Sequence, residues 1–228
     1  MADLTSSTQA DLAEMVKSNS AKTGVVIATE FQTAGRGRLD RTFEAAPGSA
    51  LLFSFFIKPD RARSDWGFIS HLAALSMQEV ISHEHPSQVC LKWPNDILIG
   101  EKKVAGILAQ STDDGVIIGI GVNVGMSAEE LPVETATSLL ITGSDKLDRN
   151  LILGEFLNRF EVNFEMWEKG ADFVESYSAV CATLGRKVQV EVVGRANHIG
   201  QAVSINSVGA LMLDDGFEVN VGDVVHLR

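Results

Sequence analysis

Runs of apolar residues separated by short polar turns recur through the first half of the chain and predict β-strands. The runs are rich in β-branched and aromatic residues, as strands commonly are. Pro94 ends one of them, because proline has no N–H to donate to a β-ladder. We expect strands at 24–31, 50–57, 88–93 and 115–124, and a hairpin of 96–100 with 103–110 around Gly100-Glu101.

Other segments repeat their apolar residues at helical spacing and predict amphipathic helices. The first helix begins at Thr8, which forms a capping box with Asp11, and its apolar face carries Leu12, Met15 and Val16. Two longer helices and a shorter one are expected further along, at 65–82, 150–169 and 171–184.

The pattern changes after Gly185, where short apolar runs alternate with turn residues every few positions. Such spacing is typical of a small β-barrel or sandwich. We therefore expect an α/β region at residues 1–183 and a small all-β domain at residues 184–228, an α+β chain as a whole. The five expected strands lie within 186–193, 198–205, 210–216, 217–220 and 223–228.

The charge balance limits the partners that the chain can bind. A formal net charge of −11 over 228 residues opposes non-specific binding to nucleic acid or to an anionic membrane. The start of the chain lacks the pattern of a signal peptide, and the apolar run 115–126 is too short to span a bilayer. With only Cys90 and Cys181 and no CxxC pair, we expect a cytoplasmic protein.

Positive charge is concentrated in one glycine-containing segment, QTAGRGRLDR, at Gln32–Arg41. Arg36, Arg38 and Arg41 carry forked donors that suit phosphate or carboxylate oxygens, and glycines let the backbone approach a ligand. A solvated surface loop would explain the same composition. The chain has no GxxxxGK[ST] phosphate-binding loop.

Two further segments combine glycine with polar groups. In LKWPNDILIGEKKVAG (91–106), Asn95 and Asp96 follow a strand and a hairpin returns Lys102 and Lys103, which suits a charged nucleotide. An exposed turn with two surface lysines is the alternative. GIGVNVG (119–125) misses the dinucleotide-binding spacing, so its glycines indicate close approach of a ligand or simply strand packing, with Asn123 available to a base.

Two histidines in SHEHPS (82–87) and the thiol of Cys90 are less convincing sites. Histidines two positions apart before a proline more often decorate a helix end than bind a metal. Cys90 has no identifiable base nearby in sequence, and we expect a core thiol. No dedicated metal site is expected.

The conspicuous segments resemble one known family when they are taken together. Ser7-Thr8, QTAGRGRLDR, KWPND, KKVAGIL and GIGVNV stand in the order and spacing found in bacterial biotin protein ligases, over nearly the whole chain. The resemblance is to single-function members that lack the N-terminal DNA-binding domain. It implies a class II synthetase-like catalytic domain, with a mixed β-sheet backed by helices, followed by an SH3-like β-barrel.

The resemblance also implies a two-step reaction that uses ATP with Mg²⁺ and biotin. The biotin carboxylate attacks the α-phosphate of ATP, which gives biotinyl-5′-AMP and pyrophosphate. A lysine of a biotin carboxyl carrier protein then attacks this anhydride and releases AMP. Fixed cations in the arginine segment would offset the repulsion between carboxylate and triphosphate. The family contains monomers and homodimers, and the resemblance adds no nucleic-acid or membrane partner.

The match assigns roles to particular residues. Ser7, Thr8 and Gln32 would bind the ureido end of biotin, Lys103 would bridge its carboxylate and the α-phosphate, and Asp96 would accept a proton or position Lys103. The implied biotin site comprises Ser7, Thr8, Gln32, Gly35, Arg36, Gly37, Lys103, Gly106 and Gly121. The implied ATP site comprises Arg36, Arg38, Arg41, Phe43, Lys92, Trp93, Asn95, Lys103 and Asn123, and the implied catalytic residues are Arg38, Arg41, Asp96 and Lys103.

The chain departs from the family pattern at several positions. Phe43 stands for a common Trp, Gln9 for an Asn, and Gln110 for a frequent Glu, and only six residues precede Ser7, where a strand is usual. These departures keep a non-catalytic biotin-binding homologue open as an alternative. A lipoate ligase or octanoyl transferase of the same fold is a further alternative, although the chain lacks their RRxxGGG loop and catalytic Cys–Lys pair.

Overall fold

A computed structural model describes residues 3–38, 41–83, 88–191 and 196–227. Most of the SHEHPS segment therefore lies outside the described residues. Within these ranges no helix is both long and apolar enough to cross a membrane. The chain forms two β-sheets and four α-helices in the part that the structure describes.

The larger sheet has six strands in the order β1-β2-β6-β5-β4-β3, and every neighbouring pair is antiparallel. Among the described residues, parallel pairing is limited to single bridges, Thr5 with Gln32, Leu91 with Cys181 and Lys103 with Ala136. The strands are β1 (Val26–Thr29), β2 (Ala50–Ile57), β3 (Val89–Lys92), β4 (Asp96–Ile99), β5 (Lys102–Ser111) and β6 (Val116–Asn123). The predicted runs and the predicted hairpin are confirmed.

Both faces of this sheet are covered, so every residue of β2 is buried. On one face α2 and α3 pack against the strands and against each other. On the other face α1 contributes Leu12 and Val16 to a smaller cluster with Phe56 and Ile117. The helices are α1 (Thr8–Lys17), α2 (Ile69–Ser82), α3 (Arg149–Glu168) and α4 (Val174–Ala179), and a 3₁₀ helix at Arg63–Phe68 precedes α2.

Helix ends differ from the prediction at two places. The expected capping box of α1 is wrong, because Ser7 occupies the N-cap without a side-chain bond and the Asp11 carboxylate accepts from the Thr5 hydroxyl. The expected helix at 171–184 is shorter, because the backbone after Ala179 pairs with β3 instead. Leu91 donates its N–H to the Val180 carbonyl and accepts from Ala182.

The second sheet has five antiparallel strands in the order β10-β9-β8-β7-β11. They are β7 (Lys187–Glu191), β8 (His198–Ile205), β9 (Leu211–Leu213), β10 (Glu218–Val219) and β11 (Asp223–His226). In the described residues β10 and β11 do not pair, so the sheet is open where a closed barrel was expected. The α+β class is confirmed, and the inner side chains of both sheets belong to one hydrophobic core.

The turn between β8 and β9 packs against the half of the protein that contains the larger sheet, where it contacts Trp93 and His71. The indole Nε1 of Trp93 donates to the Gly209 carbonyl at 2.9 Å, and the Trp93 N–H donates to Thr183 Oγ1 at 3.0 Å. Gly209 has φ +89°, and a Cβ there would lie 2.8 Å from the ring of His71. Only glycine satisfies both conditions at this turn.

We expect Gly209→Ala to lower the free energy of unfolding by about 2–4 kcal/mol, since it adds a steric overlap to the cost of a left-handed backbone. Gly216→Ala is the matched control, because Gly216 has φ +82° but open space around its Cβ position. It should lose only about 1–2 kcal/mol. Urea unfolding of the three proteins measures both values, and equal losses would contradict the described fit of the turn.

Candidate active site

One cavity of about 190 Å³ opens on the sheet face that also carries α1. Its walls come from the start of α1, the arginine loop (residues 31–49), strands β2, β5 and β6, the β3–β4 turn and the start of β11. The three conspicuous sequence segments therefore meet around one space. Fifteen predicted site residues line it: Ser7, Thr8, Gln32, Arg36, Gly37, Arg38, Arg41, Phe43, Lys92, Trp93, Asn95, Asp96, Lys103, Gly106 and Gly121.

The floor of the cavity carries a polar network. Gln32 Oε1 accepts from the Thr8 N–H at 2.9 Å, and the hydroxyls of Thr8 and Ser54 lie 2.8 Å apart. Ser54 in turn donates to Gln9 Oε1 at 3.3 Å. Among the described residues the buried Ser7 hydroxyl has no partner. Because an unpaired buried hydroxyl is costly, this floor is suited to a polar ligand group.

The backbone of residues 3–6 takes the edge position where the family resemblance led us to expect a strand. Thr5 donates its N–H to the Phe31 carbonyl at 3.1 Å and accepts from Thr33 at 3.0 Å. Ala34 donates to Ser6 at 2.9 Å. Thr5 and Ser6 therefore anchor the beginning of the arginine loop beside Ser7 and Thr8.

The arginine loop folds back on itself like a narrow hairpin. Gly37 N–H donates to the Arg41 carbonyl at 2.7 Å, and Phe43 N–H donates to the Gly35 carbonyl at 3.1 Å. The Phe43 ring then lies over Gly121 of β6, where a Cβ would be 2.6 Å from the ring. Residue 35 is held to glycine in a similar way, because its Cβ would overlap the Phe43 carbonyl.

The arginines of this loop contact the second sheet. Arg38 Nη2 donates to the Gly222 carbonyl at 3.1 Å, and Arg41 forms an ion pair with Asp223. Burial lowers the pKa of Arg38, while the carboxylates of Asp223 and Asp96 act in the opposite direction. Asp223 itself is mostly buried and lines the cavity, so the second sheet contributes to the site.

Lys103 and Asp96 form an ion pair of 2.6 Å across β5 and β4. A register shift between these strands pairs Leu98 with Lys103 and Ile97 with Ala105, which leaves Val104 as an extra residue. The Lys103 ammonium consequently lies over Gly106, where a Cβ would be 3.0 Å from Nζ. Gly106 and Gly121, which the family resemblance places in the biotin site, thus make room for Lys103 and Phe43.

Several side chains that were predicted to contact a ligand already form hydrogen bonds within the protein. Asn123 lies away from the cavity, because its amide donates to the Thr137 carbonyl at 2.9 Å. The Asn95 amide donates to the Ile107 carbonyl at 3.1 Å, and the Trp93 indole is bound to Gly209. Gly35 is buried behind Phe43 and does not form part of the lining.

Sequence reasoning missed several lining residues, among them the polar Ser54 and Asp223. Ser54 is the one polar residue in the apolar run ALLFSFFI, which is a usable signal in retrospect. Asp223 carries no such signal, because it lies 182 positions from its partner Arg41. In the described ranges no group of three His, Cys, Asp or Glu side chains could hold a metal ion.

Gly121→Ala tests the packing of the Phe43 ring over Gly121. The added methyl would displace the ring and release the arginine loop, so we expect trypsin to cleave the variant several-fold faster between Arg36 and Arg41. Gly125→Ala is the control, since its Cβ would meet only an ordinary contact of 3.8 Å with Ser49. Mass spectrometry of timed digests locates the cleavage sites. Equal cleavage of both variants would contradict the described packing of Phe43 over Gly121.

Comparison with known proteins places these features in context. The sequence profile of the Biotin/lipoate A/B protein ligase family matches residues 1–127. The biotin--[acetyl-CoA-carboxylase] ligase of Mycobacterium tuberculosis is 37% identical, over 98% of this chain and 87% of the relative. The bifunctional ligase/repressor BirA of Bacillus subtilis is 31% identical, over 93% of this chain and 68% of the relative.

A solved structure of similar fold is the biotin protein ligase from Aquifex aeolicus in complex with biotin and ATP. It superposes with a TM-score of 0.83 at 28% identity, over 100% of this chain and 98% of that chain. The apo structure of the same enzyme superposes with a TM-score of 0.80 at 25% identity, over 99% and 97%. The similarity therefore extends through both sheets.

Proposed function

Because the chain belongs to the biotin/lipoate A/B protein ligase family, we propose that it attaches biotin to a lysine of a carrier protein of acetyl-CoA carboxylase. In the first step the biotin carboxylate attacks the α-phosphate of ATP, so that pyrophosphate leaves and biotinyl-5′-AMP forms. In the second step the carrier lysine attacks the anhydride and AMP leaves. One observation carries the proposal: a single cavity joins a polar floor to a cationic wall.

The floor of the cavity suits the ureido end of biotin, which offers two N–H donors and one carbonyl acceptor. Ser7 brings a buried hydroxyl that has no partner in the described part of the chain. Thr8 and Gln32 lie beside it in one hydrogen-bonded network. A ligand that pairs with all three groups would remove the cost of leaving them unsatisfied.

The cationic wall suits the carboxylate and the phosphates. Lys103 would lie between the biotin carboxylate and the α-phosphate, and Arg38 and Arg41 would meet the charge that develops on the leaving phosphates. Asp96 holds the Lys103 ammonium at 2.6 Å. From this position it could steer Lys103 in the first step and accept the proton of the carrier lysine in the second.

The remaining predicted nucleotide residues divide into two groups. Phe43, Lys92 and Arg36 line the cavity and would contact ATP or close over it. The side-chain donors of Trp93, Asn95 and Asn123 already bind backbone carbonyls, which supports a role in holding the site together. We propose that Mg²⁺ enters with ATP, bound mainly by phosphate oxygens and water.

The wider setting of the protein follows from the same proposal. The two cysteines, Cys90 and Cys181, are unpaired with each other, which supports a reducing cytoplasmic location. The net charge of −11 supports a protein that binds no nucleic acid. We propose that it acts as a monomer or a homodimer.

Intact-mass spectrometry tests the proposed reaction. The carrier domain of an acetyl-CoA carboxylase, incubated with this protein, biotin and MgATP, should gain the mass of one biotinyl group. A sample without ATP should gain nothing, and samples with octanoate or lipoate in place of biotin should stay unmodified. Failure to gain mass together with no biotin-dependent pyrophosphate release would instead favour a non-catalytic homologue.

Lys103→Met tests the assignment of the cationic wall. We expect biotin-dependent pyrophosphate release to fall by about 100-fold or more, since one preorganised charged donor is worth a factor of this order. Lys102→Met is the matched control, because Lys102 is the exposed neighbour on the same strand and lies outside the cavity lining. It should keep close to the wild-type rate. Equal rates for the two variants would overturn the role of Lys103.

A further inference from the structure

We propose that Ser54 is a positioning residue, which fixes the Thr8 hydroxyl as a hydrogen-bond acceptor toward the ligand and thereby selects a ring that carries N–H groups. The inference rests on the proposed function and names the feature that lets the cavity distinguish biotin from an acyl chain. Ser54 lines the cavity at its buried floor, where its hydroxyl contacts Thr8 and Gln9, and both of these residues line the cavity too.

The position of Ser54 is unusual for its strand. It is 0% exposed and stands among apolar residues in the middle of β2, on the face shared with Leu52 and Phe56. Its cross-strand partner in β6 is Gly119, and a Cβ at Gly119 would overlap Gln9 Oε1. The absent side chain at residue 119 therefore lets Gln9 reach over the sheet to Ser54.

The lengths of the contacts favour one direction for the network, in which two hydroxyl hydrogens serve three contacts. The Gln9 Oε1 atom can only accept, so the single hydroxyl hydrogen of Ser54 points to it at 3.3 Å. The contact of 2.8 Å between the two hydroxyls then uses the hydrogen of Thr8, because it is shorter than the 3.2 Å contact from Thr8 Oγ1 to Gln32 Oε1. Thr8 Oγ1 is left with a lone pair, and its own hydrogen is already committed.

Gln32 is oriented by the same network. Its Oε1 accepts from the Thr8 N–H at 2.9 Å, which leaves the Nε2 end to donate elsewhere. The ligand therefore meets one oriented acceptor at Thr8, one oriented donor at Gln32 and the free hydroxyl of Ser7. A cyclic urea matches this arrangement with its N–H and carbonyl groups, whereas an alkyl chain matches none of it.

Removal of the Ser54 hydroxyl would release this orientation. In Ser54→Ala the Thr8 hydroxyl can turn its hydrogen toward the ligand or toward Gln32, which lies 3.2 Å away. The Thr8 hydroxyl would then present a hydrogen, instead of a lone pair, to an N–H of the ligand. Two donors would face each other and no hydrogen bond would form between them. The loss should affect binding of biotin and leave the distant phosphate region unchanged.

Steady-state kinetics of pyrophosphate release tests the proposal. In Ser54→Ala we expect the KM for biotin to rise about tenfold, the cost of one buried hydrogen bond, with kcat and the KM for ATP unchanged. Ser54→Thr, which keeps the hydroxyl, should restore most of the biotin affinity. Ser76→Ala is the control for loss of a buried hydroxyl, because Ser76 is 0% exposed on α2 and bonds Leu72 and Asn163.

The sharper readout uses the two biotins that carry a methyl group on one ureido nitrogen. Wild type should discriminate strongly against the analogue whose blocked nitrogen faces Thr8, and Ser54→Ala should lose most of that discrimination. Unchanged discrimination, or a rise in biotin KM shared by Ser76→Ala, would overturn the role of Ser54. A wild-type protein that releases no pyrophosphate with biotin would instead overturn the proposed function.

Discussion

The ion pair between Lys103 and Asp96 is the interaction on which the geometry of the site depends. It joins neighbouring strands at a point where one extra residue in β5 turns a lysine into the cavity. The pair holds the Lys103 ammonium in place beside the cavity, which is useful in a chain of net charge −11. Because the pair is only partly exposed, its attraction is screened less than that of a surface pair. The cavity can therefore present an organised cation to an anionic ligand at little further cost in ordering.

The second sheet completes the site from a distant part of the chain. It accepts hydrogen bonds from Arg38 at Gly222 and from Trp93 at Gly209, and it places the carboxylate of Asp223 beside Arg41. These contacts are made by short turns and strand ends and by one buried indole. The arginine loop is thus held from both sides, by its own hairpin-like fold and by the second sheet.

The elements with strong patterns could be predicted from the sequence, because burial on both faces of the larger sheet produces uninterrupted apolar runs such as residues 50–57. The same burial concealed Ser54, whose polarity matters only because α1 places Gln9 and Thr8 above it. Asp223 could not be found, since its role depends on how two sheets pack. Asn123 was expected at a base from its glycine-containing strand and from the family resemblance. Its partner Thr137 could not be foreseen, because the segment 127–148 carries no clear apolar periodicity.

The insertion of the β8–β9 turn has a consequence for building hybrid proteins. Gly67 lies so close to this turn that a Cβ there would be 2.6 Å from the Val208 carbonyl, while His71 and Trp93 enclose Gly209. The two sheets are therefore not interchangeable modules that can be recombined at the chain segment between them. A chimera that takes its C-terminal sheet from a relative must also carry residues that fit the new turn at positions 67, 71 and 93. Otherwise the β3–β4 turn before Asp96 will lose its contact with the second sheet.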